Sequence, residues 1–159
     1  SFRRLQEVRK KILIQKKIIN LYKELKNFSN LNGDSGAIVE FVGKVRKNSN
    51  SRILKGMFIE CYKKMAESQI QIIANDAMRK WNLDDYKIIH RYGNLDVGDV
   101  IVIVMVSSQH RKDGLEATSY IIDWLKIRSP FWKKEIYSDS EKWVEQNNKD
   151  LKIIGRFSH

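Results

Sequence analysis

Pro130 is the only proline in the chain, and it interrupts a run that would otherwise continue as helix: Trp124-Leu125-Lys126-Ile127-Arg128-Ser129-Pro130-Phe131-Trp132-Lys133-Lys134-Glu135. A proline fixes its own φ, removes a backbone donor and pushes the residue before it out of the α region. The helix arriving through Ile121 and Ile122 must therefore stop near Ser129. That places Lys126 on the last turn of a helix and Lys133 in a segment with a new direction. On an unbroken helix, residues seven apart share a face. Across a break, two lysines can reach a common point from different elements, as a pocket requires. The plainer alternative is a solvated basic helix end, which the macrodipole favours.

The remaining elements follow from pattern. Val100-Ile101-Val102-Ile103-Val104-Met105-Val106 is apolar on both faces and reads as a central strand. Residues 37–46 and 53–62 read as further strands, and residues 84–93 as a short strand running into a turn. An amphipathic helix is expected over 63–81 through Met65, Ile70, Ile73, Ala77 and Trp81, and another from about Gly114 to the proline. Asp96-Val97-Gly98-Asp99 is a tight turn. Residues 3–28 lack Gly and Pro and show two stripes at three/four spacing, one of them Ile14, Ile18, Leu21, Leu25 and Phe28. They read as a basic N-terminal helix. Strands and helices alternate only in part, which predicts an α+β domain with a mainly antiparallel sheet. The expected division is a basic helical extension and loop over 1–34 and a catalytic domain over 35–159.

The formal net charge is +11, and residues 1–30 hold nine lysines and arginines against two glutamates. A basic chain attracts anions: nucleic acid, phosphorylated metabolites or acidic protein surfaces. One cysteine, Cys61, excludes an intramolecular disulfide and cannot build a zinc site alone. No apolar run spans a bilayer, so a cytoplasmic setting is the expectation. No Walker loop, dinucleotide fingerprint or HExxH occurs. A nucleic-acid-binding module using the basic N-terminal helix is the alternative reading, supported by charge alone.

Cations fall at the ends of elements, where loops build sites. Arg46 ends a strand, His110 and Arg111 leave the central strand, Lys126 ends a helix and Lys133 follows the break. Together they would make an anion pocket. Crowded cations depress one another's pKa values, which frees a lysine to act as base or nucleophile.

At this point a family resemblance appears. Residues 36–46 (GAIVEFVGKVR), His90-Arg91-Tyr92-Gly93, Ser107-Ser108-Gln109-His110-Arg111, the Lys-x-Arg-x-Pro-Phe-Trp-Lys-x-Glu element at 126–135 and Trp143-Val144-Glu145 occur in that order. This resembles the large, catalytic subunit of molybdopterin synthase over about residues 35–147. The resemblance implies an α/β-hammerhead fold and a homodimer, with no cofactor and no metal. It implies a partner, a small ubiquitin-like sulfur carrier with a C-terminal Gly-Gly thiocarboxylate, in a heterotetramer. The implied reaction adds two sulfurs to cyclic pyranopterin monophosphate as a dithiolene.

By motif, the resemblance makes Lys126 and Lys133 the catalytic lysines. Arg46, His110 and Arg111 become substrate and phosphate binders, Phe41 part of the pocket wall and Glu135 a supporting acid. Two departures stand out. Ile122 replaces a methionine of some relatives, a change of packing. Relatives often carry an arginine near Asn147 that reaches the neighbouring protomer's site, and Lys149 or Lys152 is the candidate replacement.

Overall fold

The computed structural model describes residues 10–144. Ten strands and three helices follow one another as β1 (Ile12–Gln15), α1 (Leu21–Leu31), β2 (Ala37–Lys44), β3 (Asn48–Ser49), β4 (Arg52–Ile53), β5 (Gly56–Cys61), α2 (Lys63–Lys80), β6 (Leu83–Arg91), β7 (Gly93–Asp96), β8 (Val100–Ser108), α3 (Arg111–Arg128), β9 (Phe131–Ile136) and β10 (Glu141–Trp143). β8 is the spine. Its Ile103, Val104, Met105 and Val106 have no solvent exposure, because both faces are covered. The first sheet has the order β1-β6-β8-β2 and the second β10-β9-β5-β7, with β3-β4 a separate small hairpin. All pairings among the described residues are antiparallel except β1 with β6.

α2 and α3 pack on one face of the first sheet through Ile70, Ile73, Ala77, Ala117 and Ile121, against Ile88, Val104 and Val106. α1 covers part of the other face through Phe28, with Ile19 beside it, against Ile89, Ile103 and Met105. The chain passes from the first sheet to the second at Gly93, whose φ of +91° suits a residue without a Cβ. Gly98 does the same at the turn before β8, where Asp99 N–H donates to Asp96 O at 3.0 Å. A third small core of Val45, Met57, Ile59, Leu95 and Ile101 closes the junction of the two sheets.

The helix expected over 3–28 is corrected. Residues 1–9 lie outside the described residues. Residues 12–15 are a strand, paired in parallel with Ile88–Arg91. Ile12 and Ile14 are buried while Leu13 and Gln15 are half-buried, which is the period of a strand. Three consecutive β-branched or leucine side chains fit a pleated surface, and a sheet edge nearby outweighs their weak helical spacing. Helix begins only after Asn20, whose Oδ1 accepts from Lys23 N–H at 3.1 Å. The basic arm on which a nucleic-acid reading depends is therefore not a continuous helix.

Candidate active site

α3 stops where its sequence demands. Ser129 is extended (φ −76°, ψ 133°), and Phe131 N–H donates back to Ser129 O at 2.8 Å across Pro130. This three-residue turn sends the chain from the helix directly into β9. Lys126 is thus held on the last turn of α3 and Lys133 on the third position of β9.

Both lysines line one cavity of about 510 Å³. Its floor comes from the first sheet: Phe41 and Gly43 of β2, Val102 of β8 and His90 of β6. Gly43, Val102 and His90 lie in one row across three strands. A Cβ on Gly43 would meet Val102 Cγ1 at 2.8 Å and the Phe41 ring at 3.3 Å. The glycine therefore lets the Phe41 ring lie close over the sheet. A register shift follows between Gly43 and Lys44. It buries Val45 and leaves Arg46 exposed at the cavity mouth. The walls are Leu125, Lys126 and Ser129 from the end of α3, with Phe131 and Lys133 from β9.

The electrostatics single out Lys133. Burial pushes its pKa down, and the charges of Lys126 and then Arg46 push it further. It is the amine in this site most readily found neutral. His90 lies at the bottom, stacked on Phe131 with ring centroids 3.7 Å apart and 13° between planes. Burial, and then the Lys133 charge, lower its pKa to about 3 against a weaker opposing hydrogen bond to the Arg91 backbone. Ser129 Oγ is closed off from solvent with no hydrogen-bond partner among the described residues.

Of the residues expected at the site, the structure brings Phe41, Arg46, Lys126 and Lys133 to this cavity. Glu135 sits two residues beyond Lys133 on the same face of β9, buried behind it, and accepts from Tyr137 O–H at 3.2 Å. His110 and Arg111 are exposed at the opposite end of α3. Arg111 and Lys126 are fifteen positions apart on α3, about 22 Å at the rise of an α-helix. Asn147, Lys149 and Lys152 lie outside the described residues. Cys61 is half-buried and burial raises its pKa, as befits a structural thiol. Sequence reasoning gave no role to His90 or Ser129. A histidine in the buried register of a strand was the available signal for the first. The second shows only once the turn at Pro130 is built.

Among the described residues no group of three or more His, Cys, Asp and Glu side chains gathers to hold a metal ion, and no helix is long and apolar enough to cross a membrane. A profile described as MoaE protein matches residues 14–128. A molybdopterin synthase catalytic subunit from Haemophilus ducreyi is 42% identical over 115 residues, which cover 72% of this chain and 76% of that one. The X-ray structure of molybdopterin synthase from Staphylococcus aureus superposes with a TM-score of 0.78 at 33% identity, covering 86% of this chain and 98% of that one. A protein–protein complex of subunits 1 and 2 of molybdopterin-converting factor from Helicobacter pylori shares the fold, with a TM-score of 0.74 at 20% identity over 87% of this chain and 92% of that one.

Proposed function

The chain belongs to the MoaE protein family, and we propose that it acts as the sulfur-transferring catalytic subunit of a molybdopterin synthase in molybdenum-cofactor biosynthesis. The observation that carries this is the convergence of Lys126 from α3, Lys133 from β9 and Arg46 from the segment after β2 on one cavity.

The chemistry suits that cavity. The proposed substrate, cyclic pyranopterin monophosphate, carries a phosphate, and the proposed sulfur donor carries a thiocarboxylate. Both are anions, as are the oxyanions formed during acyl transfer, and preorganised cations stabilise such charge. Lys126 and Arg46 supply fixed positive charge at the mouth. Lys133, held towards its neutral form, serves as base or transient nucleophile towards the thiocarboxylate carbonyl. Phe41 and Phe131 supply apolar walls for a planar ring system. Glu135 supports β9 from behind.

The sulfur donor is proposed to be a small ubiquitin-like carrier subunit whose Gly-Gly tail enters the cavity. A structural neighbour solved as a two-subunit complex is consistent with such a partner. His110 and Arg111 reach this site only from a second copy of the chain. Among the described residues β2 is the last strand of its sheet. A two-fold copy laid antiparallel along that edge would bring its β8–α3 corner, where Ser108 pairs with Ala37, towards the Lys44 end of β2. We therefore read the working form as a homodimer carrying two small subunits, on a hammerhead arrangement of the two sheets, in the cytoplasm.

The test is reconstitution. Purified protein, thiocarboxylated carrier and cyclic pyranopterin monophosphate should yield the dithiolene product, and the Lys133→Ala variant should not. No product from the wild-type mixture, or unchanged yield from Lys133→Ala, would overturn the reading.

A further inference from the structure

The cavity is rich in donors and short of acceptors. Arg46, Lys126 and protonated Lys133 have N–H groups only, and besides His90 the Ser129 hydroxyl in the wall is the one other polar side chain among the lining residues that accepts whatever the state of Lys133. Among the described residues no carboxylate lines the cavity. A pterin carries an amino group and ring N–H groups besides its anionic substituents. Bound here, those donors need an acceptor or they are buried unsatisfied.

His90 is built to be that acceptor. Its Nδ1 lies 2.7 Å from Arg91 O. A carbonyl oxygen can only accept, so Nδ1 carries the hydrogen and donates it. The neutral ring then holds its lone pair on Nε2, which takes no hydrogen bond from any described residue. The ring plane is fixed by the stack on Phe131, so the lone-pair direction is fixed as well. Burial and the neighbouring Lys133 charge keep the ring unprotonated.

The residue type matters too. A carboxylate in this position would pair with Lys126 and Lys133, cancel the anion site and raise the pKa of Lys133. A neutral imidazole accepts without doing either.

We infer that His90 is a specificity-determining residue that accepts, through Nε2, a hydrogen bond from an N–H donor of the pterin. This rests on the function proposed above and adds to it a direct contact with the ring. The rival is a purely structural role, in which the imidazole is a flat spacer under Phe131.

The experiment uses the full chain labelled with ¹⁵N-histidine. The chain has three histidines, and the His90→Phe variant identifies the His90 signals by their loss. Free protein at neutral pH should show His90 with a protonated Nδ1 and an unprotonated Nε2. Adding cyclic pyranopterin monophosphate should move the Nε2 signal towards the hydrogen-bonded position, and inorganic phosphate alone should not. In turnover, His90→Phe keeps a stacking ring but no acceptor, and should raise KM for the pterin roughly tenfold or more. His90→Gln keeps an acceptor and should lose less.

An unmoved Nε2 signal while wild-type turnover proceeds, or a His90→Phe KM equal to wild type, overturns the inference and leaves the proposed function standing. The opposite tautomer overturns it also. Wild-type protein that neither binds the pterin nor turns it over sinks the proposed function, and the inference falls with it.

Discussion

Lys126 and Lys133 face one cavity from opposite sides of Pro130, the first from a helix end and the second from a strand. Lys126 is exposed at the rim, while Lys133 is largely enclosed and feels the Lys126 charge. The two lysines therefore divide the work between charge and proton transfer. Lys126→Ala removes a repelling neighbour, so the Lys133 pKa should rise. Sulfur transfer should fall by more than tenfold at neutral pH, and its alkaline-rising limb should move to higher pH. Lys126→Arg keeps the charge, so it should hold that limb in place and retain much of the activity if Lys126 contributes charge alone. Loss of activity in Lys126→Arg with an unmoved limb would show that Lys126 itself exchanges a proton or attacks. A pH–rate profile of both variants decides between these roles.

Lys133 should cost the fold stability that the site uses. Its pKa is lowered in the folded protein, so the unfolded chain binds more protons between the folded and the unfolded values. Stability therefore rises with pH through that alkaline window, and the penalty is fully present below it. Lys133→Met fills the same space without charge. It should raise the melting temperature by a few degrees, for about 1 kcal/mol in a chain of this size, and abolish turnover. A lower melting temperature would show that Lys133 makes contacts in the folded protein that outweigh the cost of burying its charge.

The N-terminal correction has its own test. Ile14 is 2% exposed and Ile18 is 79% exposed. On a helix these two, four residues apart, would share a face and matter alike. On strand β1 followed by a loop they do not. Ile14→Ala should cost about 2–4 kcal/mol, and Ile18→Ala less than about 0.5 kcal/mol, in denaturant unfolding. Equal losses would restore the helical reading.

Local rules account for what the sequence made legible. The double-faced apolar run of β8, the stop at Ser129 and the glycine turn at Gly98 each depend on a few adjacent residues, and each appears where pattern places it. The placing of Lys126 at a helix end, of Lys133 just past the proline break and of Arg46 just past a strand was also readable, because each depends on a local stop signal. β1 was not, since four residues become a strand only when their partners in β6, 76 positions away, offer an edge. The placement of His110 and Arg111 was not legible either. Sequence shows that they leave a strand, but not that the far end of that strand carries the cavity. His90 carried no role in the sequence beyond its place in a motif, because the carbonyl that fixes its tautomer is met only in the folded strand.

Glu24 and Lys87 form an ion pair at 3.0 Å between α1 and β6, with side chains only 19% and 8% exposed. Removing one partner leaves the other charge enclosed. Glu24→Ala should destabilise the protein by about 3 kcal/mol. Adding Lys87→Met to it should recover most of that loss. A double variant as unstable as Glu24→Ala alone would mean that the loss comes from packing of α1 rather than from the orphaned ammonium.

The His90 imidazole should also write itself into the acid stability of the whole protein. Its pKa is about 3 in the folded chain and 6.5 at its ordinary value. Between those values the unfolded chain binds a proton that the folded chain refuses. Stability is therefore unaffected well above pH 6.5, falls as pH drops through the window, and is fully penalised below about 3. The linkage amounts to about 2 kcal/mol already at pH 5, where most carboxylates are still ionised. His90→Phe has no such proton to bind. Its stability should be nearly flat from pH 7 to 5, while the wild type declines, so the two unfolding curves converge or cross as the solution is acidified. Parallel decline in both proteins would show that the imidazole is solvated and charged in the native state. In that case the fixed tautomer, and the acceptor role built on it, would be lost together.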